Sequence, residues 1–241
     1  MSAIDAFAAF RPIQVFGWSC ATLGIYWAAK KLYRRHARIW LMPVAVTPLL
    51  LIGLILCMRE TYQHYIHGAG WLVALLGPTT VGFAAPIYER RAIIRAQWPV
   101  LLMGVIAGSL TAMSTSYGLA SLLHMDRSLR LSLMPRSLNT PFAMTVSNAI
   151  GGVPSLTAFF VVATGFVGTI AGDAMVSWLP VRSSLARGAF LGMSAHGAGT
   201  AKAYQLGREE GTVAGIVMIL GGLVNVAVSP LLVLFLKTVS R

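Results

Sequence analysis

The sequence predicts an all-α, polytopic integral membrane protein of about seven transmembrane helices plus one broken or re-entrant helix. Three observations lead there. Hydrophobic residues make up 56% of the 241-residue chain and charged residues only 11%, at a mean hydropathy of +0.73; a soluble domain carries about 25% charged residues. Seven apolar runs approach or exceed the roughly 20 residues a helix needs to cross a bilayer. The cations gather in the short stretches between these runs.

In chain order the runs are 13–29, 39–57, 69–88, 98–123, 153–178, 185–204 and 212–236. The first is followed by Lys30, Lys31, Arg34, Arg35 and Arg38. A cleavable signal peptide has its cations before the apolar stretch, so this run is expected to stay as a span. Cys20 and Cys57 both fall inside runs, which leaves no disulfide framework. The third run is interrupted by Gly77-Pro78-Thr79-Thr80 and again by Pro86. Segment 137–150 is too short and too polar to face lipid, and reads either as a re-entrant half-helix or as an eighth span shielded by its neighbours.

Charge placement chooses between these. Seven spans with the N-terminus outside and the C-terminus inside put 12 of the 19 Lys and Arg residues in inner loops, whereas eight spans leave ten inside and nine outside. The seven-span arrangement obeys the positive-inside rule better. The net charge of +12 and pI near 10.5 therefore read as topology control and contact with anionic lipid. They do not point to nucleic acid, because the cations never form a solvated face.

The chain is expected to be a single transmembrane domain, 1–241, with candidate repeat halves 13–123 and 136–237. Gly77-Pro78-Thr79-Thr80 and His196-Gly197-Ala198-Gly199-Thr200 each break a run, and each precedes a charged loop and a span opening with glycines four apart, Gly104/Gly108 and Gly211/Gly215. The seven-span arrangement turns the two units opposite ways. Inverted repeats with interrupted helices are an architecture of secondary transporters, with substrate bound at the repeat interface.

Two polar patches carry the candidate chemistry. In 135–144, Pro135 and Pro141 disfavour helix at the residues before them, and a helix beginning near Thr140 would have a hydroxyl N-cap and Pro141 at its first position. That N-terminus would seat an anion beside the charge of Arg136, with Ser137, Asn139, Ser147 and Asn148 continuing the polarity; the plainer reading is an extramembrane loop. In 194–202, His196 and Thr200 lie four apart on one helix face, with Gly197 and Gly199 between them. A membrane-embedded histidine is a proton carrier or a donor to substrate, unless one neighbouring carbonyl simply satisfies it. Lys202 can snorkel to the interface. Thr79 and Thr80 are equally readable as site or scaffold, Asn225 as interhelical glue, and Asp173 as the one acid inside a span. Enzyme signatures are absent: the chain has no phosphate loop, no His-Glu-x-x-His and no Cys-x-x-Cys, and no cofactor is expected beyond coupling to H⁺ or Na⁺.

Leu76-Gly77-Pro78-Thr79-Thr80-Val81, Pro135-Arg136-Ser137-Leu138-Asn139-Thr140-Pro141, Gly151-Gly152-Val153-Pro154-Ser155-Leu156-Thr157 and His196-Gly197-Ala198-Gly199-Thr200-Ala201 occur in this order. Together they resemble the LrgB/CidB family of bacterial inner-membrane proteins over roughly residues 10–237. They are also similar to the carboxy-terminal half of the plastid glycolate/glycerate translocator. The resemblance implies the bacterial cytoplasmic membrane and a small LrgA/CidA-type membrane partner. It carries two functions: carriage of small monocarboxylates such as pyruvate, glycolate or glycerate, or a holin- or antiholin-like role in murein hydrolase export and lysis. Arg136 stands where the family pattern leads one to expect lysine, and Asn139 where it leads one to expect a hydroxyl. Arginine keeps the charge and adds a bidentate fork for carboxylates.

The leading expectation is a secondary carrier of a small organic anion. Arg136 and the amides near Thr140 and Pro141 would hold the carboxylate, His196 and Thr200 its hydroxyl or oxo group. Whether the chain forms homo-oligomers is left open by its glycine pairs.

Overall fold

Hydrocarbon offers backbone groups no hydrogen-bond partner, so a chain this apolar must satisfy its amides and carbonyls internally. Every regular element among the described residues is accordingly helical. The computed structural model describes residues 3–36, 38–82, 84–178 and 183–239. Arg182 and Arg241, two of the cations counted as internal above, lie outside them. The chain divides into two units, 1–79 and 80–241.

The first unit holds α1 (Ala3–His36), a 3-10 turn (Ile39–Leu41), α2 (Pro43–Cys57), α3 (Tyr62–Ala69), α4 (Trp71–Ala74) and the start of α5 (Leu76–Gly82). α3 lies against α1 at Gly68, where a Cβ would come within 2.7 Å of Trp18. Around that contact Trp71 Nε1 donates to Ser19 Oγ (2.7 Å), and the Trp18 and Tyr65 rings meet edge to face at 5.5 Å. At the other end of α1, Lys30 and Lys31 lie over Tyr26 and Trp27, the cation–aromatic pairing of a membrane interface.

The second unit continues with α6 (Ala84–Glu89), α7 (Arg91–Leu122), α8 (Arg127–Leu133), a 3-10 turn (Met134–Ser137), α9 (Thr140–Ile150), α10 (Pro154–Trp178), α11 (Ser184–Leu206) and α12 (Arg208–Val239). Among the described residues three helices are long and apolar enough to cross a membrane: Arg91–Leu122, Pro154–Val176 and Arg208–Leu234. They expose large apolar side chains, such as Met103 and Leu110 on α7, Phe159 on α10 and Leu231 on α12, as lipid-facing helices do. The expected count of seven is therefore not reproduced. Run 69–88 is divided among α3 to α6, and α2 is apolar but only 15 residues long.

Run 185–204 differs most from expectation. His196, inside α11, has φ 48° and ψ −122°, a conformation L-residues rarely adopt, and the helix folds back there. A Cβ on Gly199 would run into the carbonyl of Leu191, which in an unbroken helix would stand about 12 Å away. Before His196 the chain runs alongside α12 in the same direction, with Gly188 against Glu210 and Val213, and Gly192 against the Ala214 backbone. After it the direction reverses: Thr200 meets Gly215 and Met218, and Tyr204 meets Gly211. α11 is thus a hairpin with His196 at its tip. Pattern alone could not reveal this, because two half-length arms of small apolar residues read as one span.

Segment 127–150 forms a second hairpin. Its inward arm is α8 with the 3-10 turn, and its outward arm is α9. The arms are joined at the base by a buried polar cluster. Val153 N–H donates to Ser132 Oγ (2.8 Å), and the Thr157 hydroxyl lies within bonding distance of Ser147 Oγ (2.7 Å) and the Ser132 carbonyl (3.0 Å). Gly151, at φ 87°, ends α9 in the left-handed region, and Gly152 admits Ser147 Oγ and the Ser132 amide where a Cβ could not fit. α9 buries Phe142, Val146 and Ile150, four apart on one stripe, with Met113 and Val161. Segment 137–150 thus supplies the second arm of this hairpin, with α9 as its helix.

Each hairpin arm is ten to twelve residues long, so about 16 Å, or half the roughly 30 Å hydrocarbon slab. The order hairpin, α10, hairpin, α12 brings the two tips together from opposite ends of α10. The first hairpin's base sits at the start of α10, at Thr157. The second hairpin's inward arm descends its later half, from Gly172 against Phe190 to Gly165 against the Ala195 carbonyl.

Gly192→Val should lower the melting temperature of the detergent-solubilised protein, by a cost of about 1–3 kcal/mol or more, because the obstacle is Ala214 backbone. Gly197→Ala, with nothing near its Cβ position, should leave it unchanged. Thr157→Val, which strips Ser147 and the Ser132 carbonyl of their shared partner, should cost about 1–3 kcal/mol, and Thr157→Ser should recover most of it in the same melt.

Candidate functional site

The two hairpin tips meet at Arg136, Ser137 and His196. Arg136 projects from the 3-10 turn that Pro135 begins. Its Nε donates to Ser116 Oγ of α7 (2.8 Å) and its Nη1 to Thr164 Oγ1 of α10 (3.4 Å). Neither acceptor is a carboxylate. The guanidinium is always charged, and among the described residues no carboxylate pairs with it.

His196 reaches this cation from the other side. Its ring is hydrogen-bonded to the backbone of Ser137 and lies close to Arg136. It is 3% exposed, and its Nε2 has no hydrogen-bond partner. Ser137 Oγ beside it is equally buried and unpartnered. Buried polar atoms are nearly always bonded, so orphaned atoms of this kind next to a cation describe a place fit for an anionic, hydrogen-bonding guest. Ser194 Oγ is a third orphan, on the arm that faces Gly172 of α10.

Other sequence-predicted positions have different parts. The N-cap of α9 is Asn139, one residue earlier than expected, and its Oδ1 accepts the Thr140 amide at 3.0 Å. Pro141 has no N–H, and the Ala143 amide bonds the Asn139 carbonyl. The expected carboxylate seat on the amides near Thr140 and Pro141 is thus largely closed by the helix's own cap. Asn148 is exposed, about 12 Å along α9 from Thr140, at the hairpin base and away from the tip. Thr200 Oγ1 donates to the His196 carbonyl (2.8 Å). It secures the bend, and it does not share a helix face with the imidazole as the four-residue spacing implies. Gly199 carries the close approach between the arms, while Gly197 is exposed with open space around it. The side chains of Thr79, Thr80 and Asp173 lie outside the described residues.

Ser116 and Thr164, which hold Arg136, were not singled out in the sequence. The available signal was weak: a hydroxyl in a long apolar helix usually bonds its own backbone. A cavity of about 290 Å³ opens between α7, the inward arm of α11 and α12, but its walls are apolar, with Leu101, Val105, Phe190, Met193 and Val217 among them. It is not a seat for an anion. No cluster of three or more His, Cys, Asp or Glu side chains able to hold a metal occurs among the described residues.

Comparison with known proteins places the chain in a family. The chain is 39% identical over 215 residues to the uncharacterized protein YwbG of Bacillus subtilis, covering 89% of this chain and 96% of the relative. It is 35% identical over 212 residues to YxaC of the same organism, covering 88% and 92%. To the holin-like protein CidB of Staphylococcus aureus it is 28% identical over 213 residues, covering 88% and 93%. No solved structure matches it. The model of the LrgB-like family matches residues 22–235, and the chain is a membrane protein belonging to that family.

Proposed function

We propose that this protein acts in the bacterial cytoplasmic membrane in a holin-like role, governing murein hydrolase export and lysis together with a small LrgA/CidA-type partner. Similarity to the holin-like protein CidB over 88% of the chain supports this reading. The excess of cations in the stretches assigned to the inside supports an N-terminus outside; the reversal at His196 removes one of the seven expected crossings, so the expected C-terminus inside does not carry over.

A specific observation favours a second reading, a secondary carrier of small monocarboxylates such as pyruvate, glycolate or glycerate. A protein that only perturbs the bilayer has no need of an arginine without a carboxylate partner among the described residues, held by Ser116 and Thr164 and near a buried His196 whose Nε2 is unpartnered. Half-length hairpins meeting from opposite ends resemble the broken helices that place carrier sites near the midplane. On this reading the inverted pair is hairpin-plus-α10 and hairpin-plus-α12, a tighter repeat than the halves 13–123 and 136–237. H⁺ or Na⁺ would supply the coupling.

Proteoliposomes containing the purified chain, with and without an LrgA/CidA-type partner, separate the two. A holin-like protein releases a bulky entrapped dye and keeps doing so as Arg136→Ala. A carrier leaves the vesicles dye-tight, takes up labelled pyruvate, glycolate or glycerate saturably, and loses at least tenfold in rate as Arg136→Ala. His196→Gly provides an independent check. Glycine adopts the left-handed conformation freely, so this variant trades about 1–3 kcal/mol of relieved backbone strain against the lost packing of the buried ring, and should lose carriage of the anion. Unchanged uptake would show that the imidazole is structural.

A further inference from the structure

Arg136 is not the only cation on this wall without a carboxylate partner among the described residues. Arg130 lies six residues earlier on the inward arm of the first hairpin, and both guanidiniums face α7. Arg130 Nη1 donates to Ser121 Oγ (3.3 Å) and its guanidinium carbon stands 5.8 Å from the centre of the Tyr117 ring, while Arg136 bonds Ser116. Ser121 is five residues beyond Ser116 along α7, so the two cations occupy two depths about 7.5 Å apart, with Arg130 nearer the α7–α8 connection.

Arg130 is also under-satisfied. Its Nε is shielded from solvent and has no hydrogen-bond partner. Asp126 lies four residues before it, but that carboxylate accepts the Ser128 amide and caps α8, and no carboxylate pairs with Arg130 among the described residues. A shielded guanidinium N–H with neither acceptor nor counter-ion is costly. A purely structural role would be filled as well by an apolar side chain against Tyr117. A cation snorkelling to the interface would expose its whole head, not bury Nε.

We propose that Arg130 is a second, outer binding position for a small carboxylate, occupied on the way between the membrane surface at the α7–α8 connection and Arg136. This rests on the carrier reading. The guest leaves water for Arg130 and the Tyr117 edge, then passes to Arg136, whose fork and the neighbouring His196 hold it at the tips. Two positions of like charge along one wall let each guanidinium bind the anion without trapping it, since the next cation already lowers the cost of moving on.

The test is labelled glycolate or pyruvate uptake into proteoliposomes as a function of concentration, for the wild type and Arg130→Gln, Arg130→Lys, Arg127→Gln and Arg136→Gln. Arg127 is exposed and makes none of these contacts. The expected result is a half-saturating concentration raised five- to tenfold in Arg130→Gln at a maximal rate within twofold of wild type, partial recovery in Arg130→Lys, and no change in Arg127→Gln. A merely structural arginine would instead lower the melting temperature and maximal rate of Arg130→Gln with half-saturation unmoved, and that outcome overturns the proposal. If Arg136→Gln abolishes uptake while Arg130→Gln behaves as wild type, only the outer position is wrong. If the wild type shows no saturable uptake, the carrier reading falls and this position with it.

Discussion

A helix that stops halfway through hydrocarbon leaves backbone groups where no water can take them, and the second unit is organised around satisfying such ends. At the tip of the first hairpin, Asn139 accepts the Thr140 amide and Pro141 removes one donor outright. At the tip of the second, Thr200 takes the His196 carbonyl. At the base of the first, Ser132, Ser147 and Thr157 bind one another and the returning chain in a cluster without solvent access. Glycine makes the geometry possible from outside the hairpins as well. Gly168 and Gly172 of α10 and Gly222 of α12 are the places where an arm or an aromatic ring presses against a spanning helix.

What this backbone accounting does not satisfy is side-chain polarity. Ser137 Oγ, Ser194 Oγ and His196 Nε2 stay unbonded, although the same tips solve harder backbone problems within a few ångströms. The fold therefore does not lack means to satisfy polar groups there. Two of them, on Ser137 and His196, belong to the tips that hold Arg136, whose bonds go to the Ser116 and Thr164 hydroxyls, and a hydroxyl neither neutralises charge nor competes strongly with an incoming carboxylate. Strain points the same way: His196 occupies a backbone conformation that glycine would adopt at lower cost, in a chain with glycine on the adjacent position.

Much of this was legible in the sequence, and what was not has physical causes. The polar, proline-flanked patch at 135–141 marked irregular backbone, because prolines and a cation are tolerated in such a chain only where protein surrounds them. His196 marked the other tip for the same reason. The reversal at His196 was invisible, since nothing in the periodicity of 184–206 separates one helix of 23 residues from two arms of half that length. The N-cap was misplaced by one residue because Thr140 and Asn139 are both competent caps, and only the extended backbone at Asn139 decides between them. Asn148 was read as facing the site on polarity alone, but on α9 the stripe through Phe142, Val146 and Ile150 is the buried one, which turns Asn148 outward.

The placement of the tips bears on how a membrane protein without soluble machinery could act. Each hairpin is anchored at its own end of α10, the first through Thr157 and the second through the glycines at 168 and 172, and the tips meet through one arginine, one histidine and one backbone contact at Ser137. The contact between the hairpins is thus polar and small, while each hairpin's contacts with its spanning helices are apolar and extensive. Such a junction separates more easily than either hairpin unpacks, because polar groups at its surface can exchange one another for water or for an anion at little net cost, whereas the glycine-lined interfaces have no substitute partner. If the protein moves, it should therefore open at Arg136–His196, towards whichever hairpin yields first, with the two hairpins staying whole.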